Sequence, residues 1–215
     1  MTPIVIVGAG GQARVVAAAL RQTGEWKLVG VLDDKPGSIG EPILDSAVVG
    51  TYDDLVRLVE QGIRHAFPAL GDNNARMRLF RTILASGFDI PVLIHPHALV
   101  DRTATVGRGT FVCAGAIIGV EARVGENCLI NTGAIIEHET IVADGAHVAP
   151  GCRIGGRARV GERVFVGLGS TIKDKISIGS GSTIGAGSVV VRDIPADVVA
   201  YGVPARVVRS INQCA

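Results

Sequence analysis

The chain has 215 residues, room for one large or two small domains, and its 21 Lys+Arg against 20 Asp+Glu leave a net charge of +1, so no overall pull towards nucleic acid or an anionic membrane is expected. Aromatic residues make up only 4% while 29 positions are glycine, which argues against a bulky aromatic core and for many tight backbone corners. No apolar run reaches the roughly 18 residues that span a bilayer, and no charged segment with an apolar core opens the chain, so the expectation is a soluble, cytoplasmic protein.

The apolar run Ile4–Val7 predicts a buried strand, and the stretch "VGAGGQA" after it opens a helix over Gln12–Gln22. Gly8, Gly10 and Gly11 let backbone N–H groups approach a phosphate at a helix N-terminus, where the peptide dipoles favour negative charge. "KLVGVLDD" reads as a second strand, Tyr52–Gln61 as a helix, "HAFPALGD" as a third strand and Asn74–Ser86 as a further helix. Strands alternating with helices imply a small Rossmann-like α/β domain over residues 1–93, closed by Pro91 and Pro96. Asp33 follows Ala13 at the spacing of a ribose-binding acid, which leaves a nicotinamide nucleotide open as the ligand.

From Ile94 the rules change. Every sixth residue up to Val190 is Ile or Val, and four positions after each stands a mostly small residue such as Ala116, Ala122, Cys128 or Ala134. Glycine follows the aliphatic directly at Gly107, Gly155 and Gly167, and lies three positions after it at Gly115, Gly151 and Gly169, where a corner with positive φ is cheapest for glycine. Short strands separated by regular corners make a solenoid with the aliphatics inside. The pattern resembles the hexapeptide-repeat, left-handed parallel β-helix of acyltransferases, in which three hexads form one triangular coil. Cys113, Cys128 and Cys152 fall inside the repeat and Cys214 in the tail, with no C-x-x-C spacing, so neither a disulfide framework nor a metal site is expected. Cys113, next to an inward aliphatic, reads as outward-facing, without a base to activate it.

With coils of 18 residues, positions 18 apart lie over one another. His138 in "IIEHETI" is the second residue after Ile136 and projects from a corner; above it lies Gly156, the second glycine of "IGGRA". An imidazole to take a proton and a bare backbone N–H for a polarised carbonyl oxygen would then be neighbours. Glu137 and Glu139 flank the histidine, and a carboxylate beside an imidazole sets its tautomer. His147 is at an outward position further on, and His65, His95 and His97 read as structural.

"VGAGGQARVV", "GVLDD", "ALGDN", "IHPHA", "NTGAIIEHE", "AHVAPG", "RIGG" and "YGVPARVV" together resemble the sugar O- and N-acyltransferase family of the NeuD and PglD type over almost the entire chain. The resemblance implies an acetyl-CoA-dependent N-acetyltransferase acting on the amine of a nucleotide-linked amino sugar for surface glycans. It implies a homotrimer, with acetyl-CoA in the cleft between neighbouring prisms and the nucleotide sugar on the N-terminal domain. His138 matches the general base and Glu139 its carboxylate. His147 and Gly156 match positions near the thioester, and Gly167, Leu168 and Gly169 line the pantetheine. Gly202, Pro204 and Arg206 match the nucleotide end of CoA, within a β-helix domain over 94–215. In the first domain Gly8, Gly10 and Gly11 would face the sugar diphosphate, Asp33 and Asp34 the ribose or base, while Gly71 and Asn73 close the pocket. Gln12 stands where relatives commonly carry histidine, and an amide donates without charge. O-acetylation of a sugar of sialic-acid type is the near alternative; a non-catalytic, nucleotide-binding β-helix scaffold is the alternative from another class.

Overall fold

The structure, a computed structural model, describes residues 1–211; Cys214 lies outside them. The chain divides into two compact units, the first Met1–Pro96 and the second beginning at His97.

In the first unit, β1 (Thr2–Val7) runs parallel to β2 (Trp26–Leu32) and β5 (His65–Pro68), with Ile4 to Val7 fully buried between layers. The buried face of α1 (Gly11–Thr23), Ala13, Val16, Ala17 and Leu20, follows helical spacing, and the helix stops at Gly24 in the left-handed conformation, φ 68°. Between β2 and the second helix stands a hairpin absent from the sequence reading: β3 (Pro42–Ile43) antiparallel to β4 (Ser46–Gly50), which joins the sheet in the order β3-β4-β2-β1-β5. The helix expected over Tyr52–Gln61 is a 3-10 turn, Tyr52–Asp54, leading into α2 (Leu55–Glu60), with Thr51 and Asp54 closing a capping box. The third strand ends at Pro68 instead of Asp72, because the Asp72 carboxylate accepts the Ala75 N–H at 2.7 Å and caps α3 (Asn73–Ala85).

In the second unit, two-residue strands recur every six residues, each paired in parallel with the strand 18 residues on, as Ile136 with Ile154 and Val142 with Val160. Three parallel sheets result, and the chain turns between them at three edges. Ile118, Ile136, Ile154 and Ile172 fill the interior with Ala134, Cys152 and Ala158. Each such aliphatic adds roughly 1.5–3 kcal/mol of burial. Ile94, expected inward, is 40% exposed, and Val100 and Val106 are only partly buried, since at the start of the prism a side chain has a coil on one side alone. Cys113, expected outward, is 1% exposed.

The edges differ in the residue that takes the left-handed turn. One carries glycine at 115, 133, 151, 169 and 187. The next carries none from the second coil on: Glu121, Glu139, Arg157 and Lys175 hold φ between 56° and 62°. The prism ends in an antiparallel hairpin, Val198–Gly202 with Ala205–Ser210, whose first strand adds to Thr183–Ile184 and whose turn contains a cis Val203–Pro204 bond.

Candidate active site

His138 stands on the edge whose left-handed positions lack glycine, with its side chain 53% exposed. Its Nδ1 lies 3.0 Å from Glu139 Oε2. A carboxylate accepts only, so Nδ1 carries a proton, and in the neutral ring Nε2 has the lone pair. That lone pair faces the space over Gly156: a Cβ at Gly156 would lie 2.5 Å from His138 Nε2 and 2.7 Å from Cε1. The Gly156 carbonyl accepts the Lys175 N–H at 3.0 Å, whereas its own N–H takes no backbone acceptor among the described residues. At comparable turns that N–H is used, as in Glu126 N–H to Asp144 Oδ1 at 2.8 Å.

Glu139 is held in turn by Arg157, whose Nε donates to the same Oε2 at 2.8 Å. The guanidinium foremost, then the imidazole, pulls the Glu139 carboxyl below the usual carboxylate range, so it remains an anion. A polar concavity of about 630 Å³ begins at Glu139 and is bordered by Glu121, Arg123, Ile141 and Arg159, with Thr103 and Thr105 at its far side. The arrangement holds one imidazole by a carboxylate on one nitrogen and aims the other nitrogen at a side-chain-free corner.

The remaining expected residues of the prism gather elsewhere. His147, an outward strand residue, is only 9% exposed, packed edge-on against Phe165 at 5.1 Å. Asn131 Oδ1 accepts the Thr132 N–H, which turns its Nδ2 to His147 Nε2 at 3.1 Å, so that nitrogen accepts. Gly167, Leu168 and Gly169 form a turn of the glycine edge, with Leu168 55% exposed. A side chain at Gly133, Gly151, Gly169 or Gly187 would meet no atom within 4 Å, so bare backbone lies open along this edge. The C-terminal hairpin caps it: Gly202 N–H donates to Ser188 Oγ at 3.2 Å, and Pro204 and Arg206 follow. His147 stands on the sheet face that runs up to the glycine edge, and His138 with Gly156 occupies the next edge, a full sheet face further along the same chain. Cys113 takes no part, since burial pushes its thiol up to about 12.

In the first unit Gly8, Gly10 and Gly11 surround the start of α1. Gly8 has φ +103°, and a Cβ there would meet Leu70 Cδ2 at 2.9 Å and Ala69 O at 3.0 Å. Gln12 Nε2 is buried without a hydrogen-bond partner at this helix start. Asp33 accepts the Ala9 N–H at 2.6 Å through Oδ2 and the Lys35 N–H at 2.9 Å through Oδ1, fastening the glycine loop to β2. Asp34 accepts the Tyr52 N–H at 2.8 Å. Burial, with Asp33 and Asp34 close by, raises the Tyr52 phenol to about 12, keeping it a neutral donor. Gly71 and Asn73 sit around Arg76, fully buried, which donates to Gly71 O at 3.2 Å and Asn73 Oδ1 at 2.9 Å. A separate apolar cavity of about 360 Å³ between α1, β2 and the hairpin shares no lining residue with either site. The sequence reading did not single out Arg157, Asn131, Tyr52 or Arg76. Of these Arg157 was within reach, standing 18 residues after Glu139.

A repeat prism bearing an edge-mounted imidazole–carboxylate pair, preceded by an α/β unit with a glycine loop at the start of its first helix, has the build of a hexapeptide-type transferase. Residues 3–83 match the PglD N-terminal domain and residues 121–156 the bacterial transferase hexapeptide (six repeats). The chain is similar to PerB from Caulobacter crescentus, solved with CoA and GDP-perosamine: 37% identity over 97% of this chain and 98% of that one, TM-score 0.92. It is also similar to the acetyltransferase domain of PglB from Neisseria gonorrhoeae, solved with acetyl coenzyme A: 31% identity, 96% and 98% of the two chains, TM-score 0.90. The UDP-N-acetylbacillosamine N-acetyltransferase of Bacillus subtilis is 36% identical over 122 residues, and that match spans about half of either protein, 53% and 52%. The chain belongs to the PglD-type family of nucleotide-sugar acetyltransferases, a Rossmann-like domain followed by a left-handed β-helix. Membership removes the reading as a non-catalytic scaffold. Among the described residues no helix is long and apolar enough to cross a membrane.

Proposed function

We propose that this protein transfers the acetyl group of acetyl-CoA to the amine of a nucleotide-linked amino sugar, in line with the names of the perosamine N-acetyltransferase of Caulobacter crescentus, 37% identical to this chain, and of the Bacillus enzyme. The observation that carries the reading is the His138 Nε2 lone pair standing over Gly156. Acetyl-CoA supplies an activated thioester carbonyl when bound. His138 takes the proton that the attacking amine sheds, Glu139 holds the ring and favours the charge it gains, and the Gly156 N–H is in position to donate to an oxygen gaining negative charge. His147, Gly167, Leu168, Gly169, Gly202, Pro204 and Arg206 hold CoA along the glycine edge. Gly8, Gly10, Gly11, Gln12, Asp33, Asp34, Gly71 and Asn73 hold the nucleotide sugar.

The two edges that share this chemistry are a sheet face apart on one chain, so one thioester reaches both only when the edges come from different copies. That supports a closed cyclic assembly of prisms, and we take it to be a homotrimer with sites between subunits. Its substrates are products of cytoplasmic metabolism, where we place it. The test is His138→Ala against parent, with kcat/KM followed from about pH 6 to 9 on a panel of UDP-, GDP- and dTDP-linked amino sugars and trimer content checked by light scattering. A loss of about 10²- to 10⁴-fold in kcat that narrows as pH rises is expected. A trimeric variant within twofold of parent throughout refutes the role of His138.

A further inference from the structure

The edge that carries His138 has a second peculiarity. Glu121, Glu139, Arg157 and Lys175 stack one coil apart, each in the left-handed conformation that glycine would hold without strain. Strain alone decides nothing, since Asn127 and Arg163 share it on another edge. What distinguishes Arg157 is its contact: Nε donates to Glu139 Oε2 at 2.8 Å, and that same oxygen receives the His138 Nδ1 proton at 3.0 Å.

Resting on the reading of His138 as the base, we infer that Arg157 is a positioning residue of the acetyl transfer. Its guanidinium clamps the Glu139 carboxylate where one oxygen fixes the imidazole tautomer, and its charge stops that carboxylate from holding His138 as the imidazolium. A lone carboxylate beside a histidine favours the protonated ring, which has no lone pair to offer an amine. The charged groups on the turns around His138 are Glu137 and Glu139 on its own turn, Glu121 on the turn below, Arg157 above it, and Lys173, Asp174 and Lys175 one coil further. Arg123 and Arg159 border the concavity that starts at Glu139. Of these cations Arg157 is the one that bonds the Glu139 carboxylate, so removing it leaves the charge of that carboxylate to the imidazole.

The test uses the full-length protein with selectively labelled histidine, following the His138 ring resonance against pH by NMR in parent, Arg157→Lys, Arg157→Gln and Arg157→Gly, with kcat/KM measured over the same range. Without the guanidinium charge the His138 midpoint should rise by up to about one unit in the Gln and Gly variants and less in the Lys variant. The acid limb of kcat/KM should move with it, a loss of up to about tenfold at pH 6 that fades above about pH 8. KM for acetyl-CoA should stay within twofold. Arg157→Gly relaxes the turn, so its melting temperature should equal or exceed the parent's, separating positioning from support of the fold. Midpoints and rates that superimpose on the parent in both Gln and Gly variants overturn the inference alone, provided His138→Ala is impaired. A His138→Ala protein as active as parent overturns the reading of the base and this inference with it.

Discussion

Gly156→Ala adds one methyl group 2.5 Å from His138 Nε2, 2.7 Å from Cε1 and 3.0 Å from Cδ2. Non-bonded carbon atoms settle at roughly 3.5–4.0 Å, so the ring must retreat by about 1 Å and give up its bond to Glu139. Gly156 does not hold a positive φ, so alanine takes its backbone without strain, and the ring that yields is the free end of a half-exposed side chain. The folding cost should stay within about 0.5 kcal/mol, as for a surface substitution. Activity should suffer far more: a misplacement of about 1 Å costs on the order of 10²-fold, and complete loss of proton transfer up to about 10⁴-fold. That is roughly 2.7–5.4 kcal/mol of barrier. Gly155→Ala is the paired contrast, because there a Cβ would meet Asp174 N at 2.6 Å and Ile172 O at 2.9 Å, backbone of the next coil that has nowhere to go. It should destabilise by about 1–3 kcal/mol. The assays are thermal melting of both variants and initial rates of thiol release from acetyl-CoA with an amino-sugar acceptor. A Gly156→Ala protein of parental melting temperature with kcat/KM within twofold of parent would refute the placement of the reacting atoms over Gly156.

Ile154→Asp places an unpaired carboxylate at a fully buried position of the prism and should leave the protein insoluble or without a cooperative melt; a soluble variant melting like the parent would contradict the inward phase of the hexads. Cys113, with its thiol raised to about 12, should resist iodoacetamide at pH 8 in the native protein and react after denaturation, as mass spectrometry of the alkylated peptide would report. Gly8→Ala collides with Leu70 Cδ2 and Ala69 O at φ +103°, and titration calorimetry should show nucleotide-sugar binding lost while CoA binding is kept; equal losses of both would undo the division of labour between the two units.

The prism was legible in the sequence because its interior admits little choice. An inward position between two coils takes a β-branched aliphatic or a small residue and nothing polar without a partner, so the period survives at every hexad from Val112 to Val190. The same period placed Gly156 over His138, since stacking at a constant offset is a matter of counting. The α/β unit showed its long elements for a similar reason, with β1 a continuous buried apolar run and α1 and α3 each burying a periodic face. The β3–β4 hairpin did not show, because two and five residues carry no period and their strand character comes from pairing with β2.

Which side chains meet was decided by tertiary structure. Sequence put Glu139 beside His138, yet the Arg157 clamp depends on two long side chains from different coils choosing to converge on one carboxylate oxygen. Cys113 follows an inward aliphatic and by alternation alone belongs outside, but it turns out buried. His147 follows His138 by nine residues, half a coil, so His138 falls in a turn at one edge and His147 on a strand of another sheet. Periodicity along one chain fixes the address of every backbone position on the prism, while the reach and charge of side chains between those addresses are settled only when the coils are stacked.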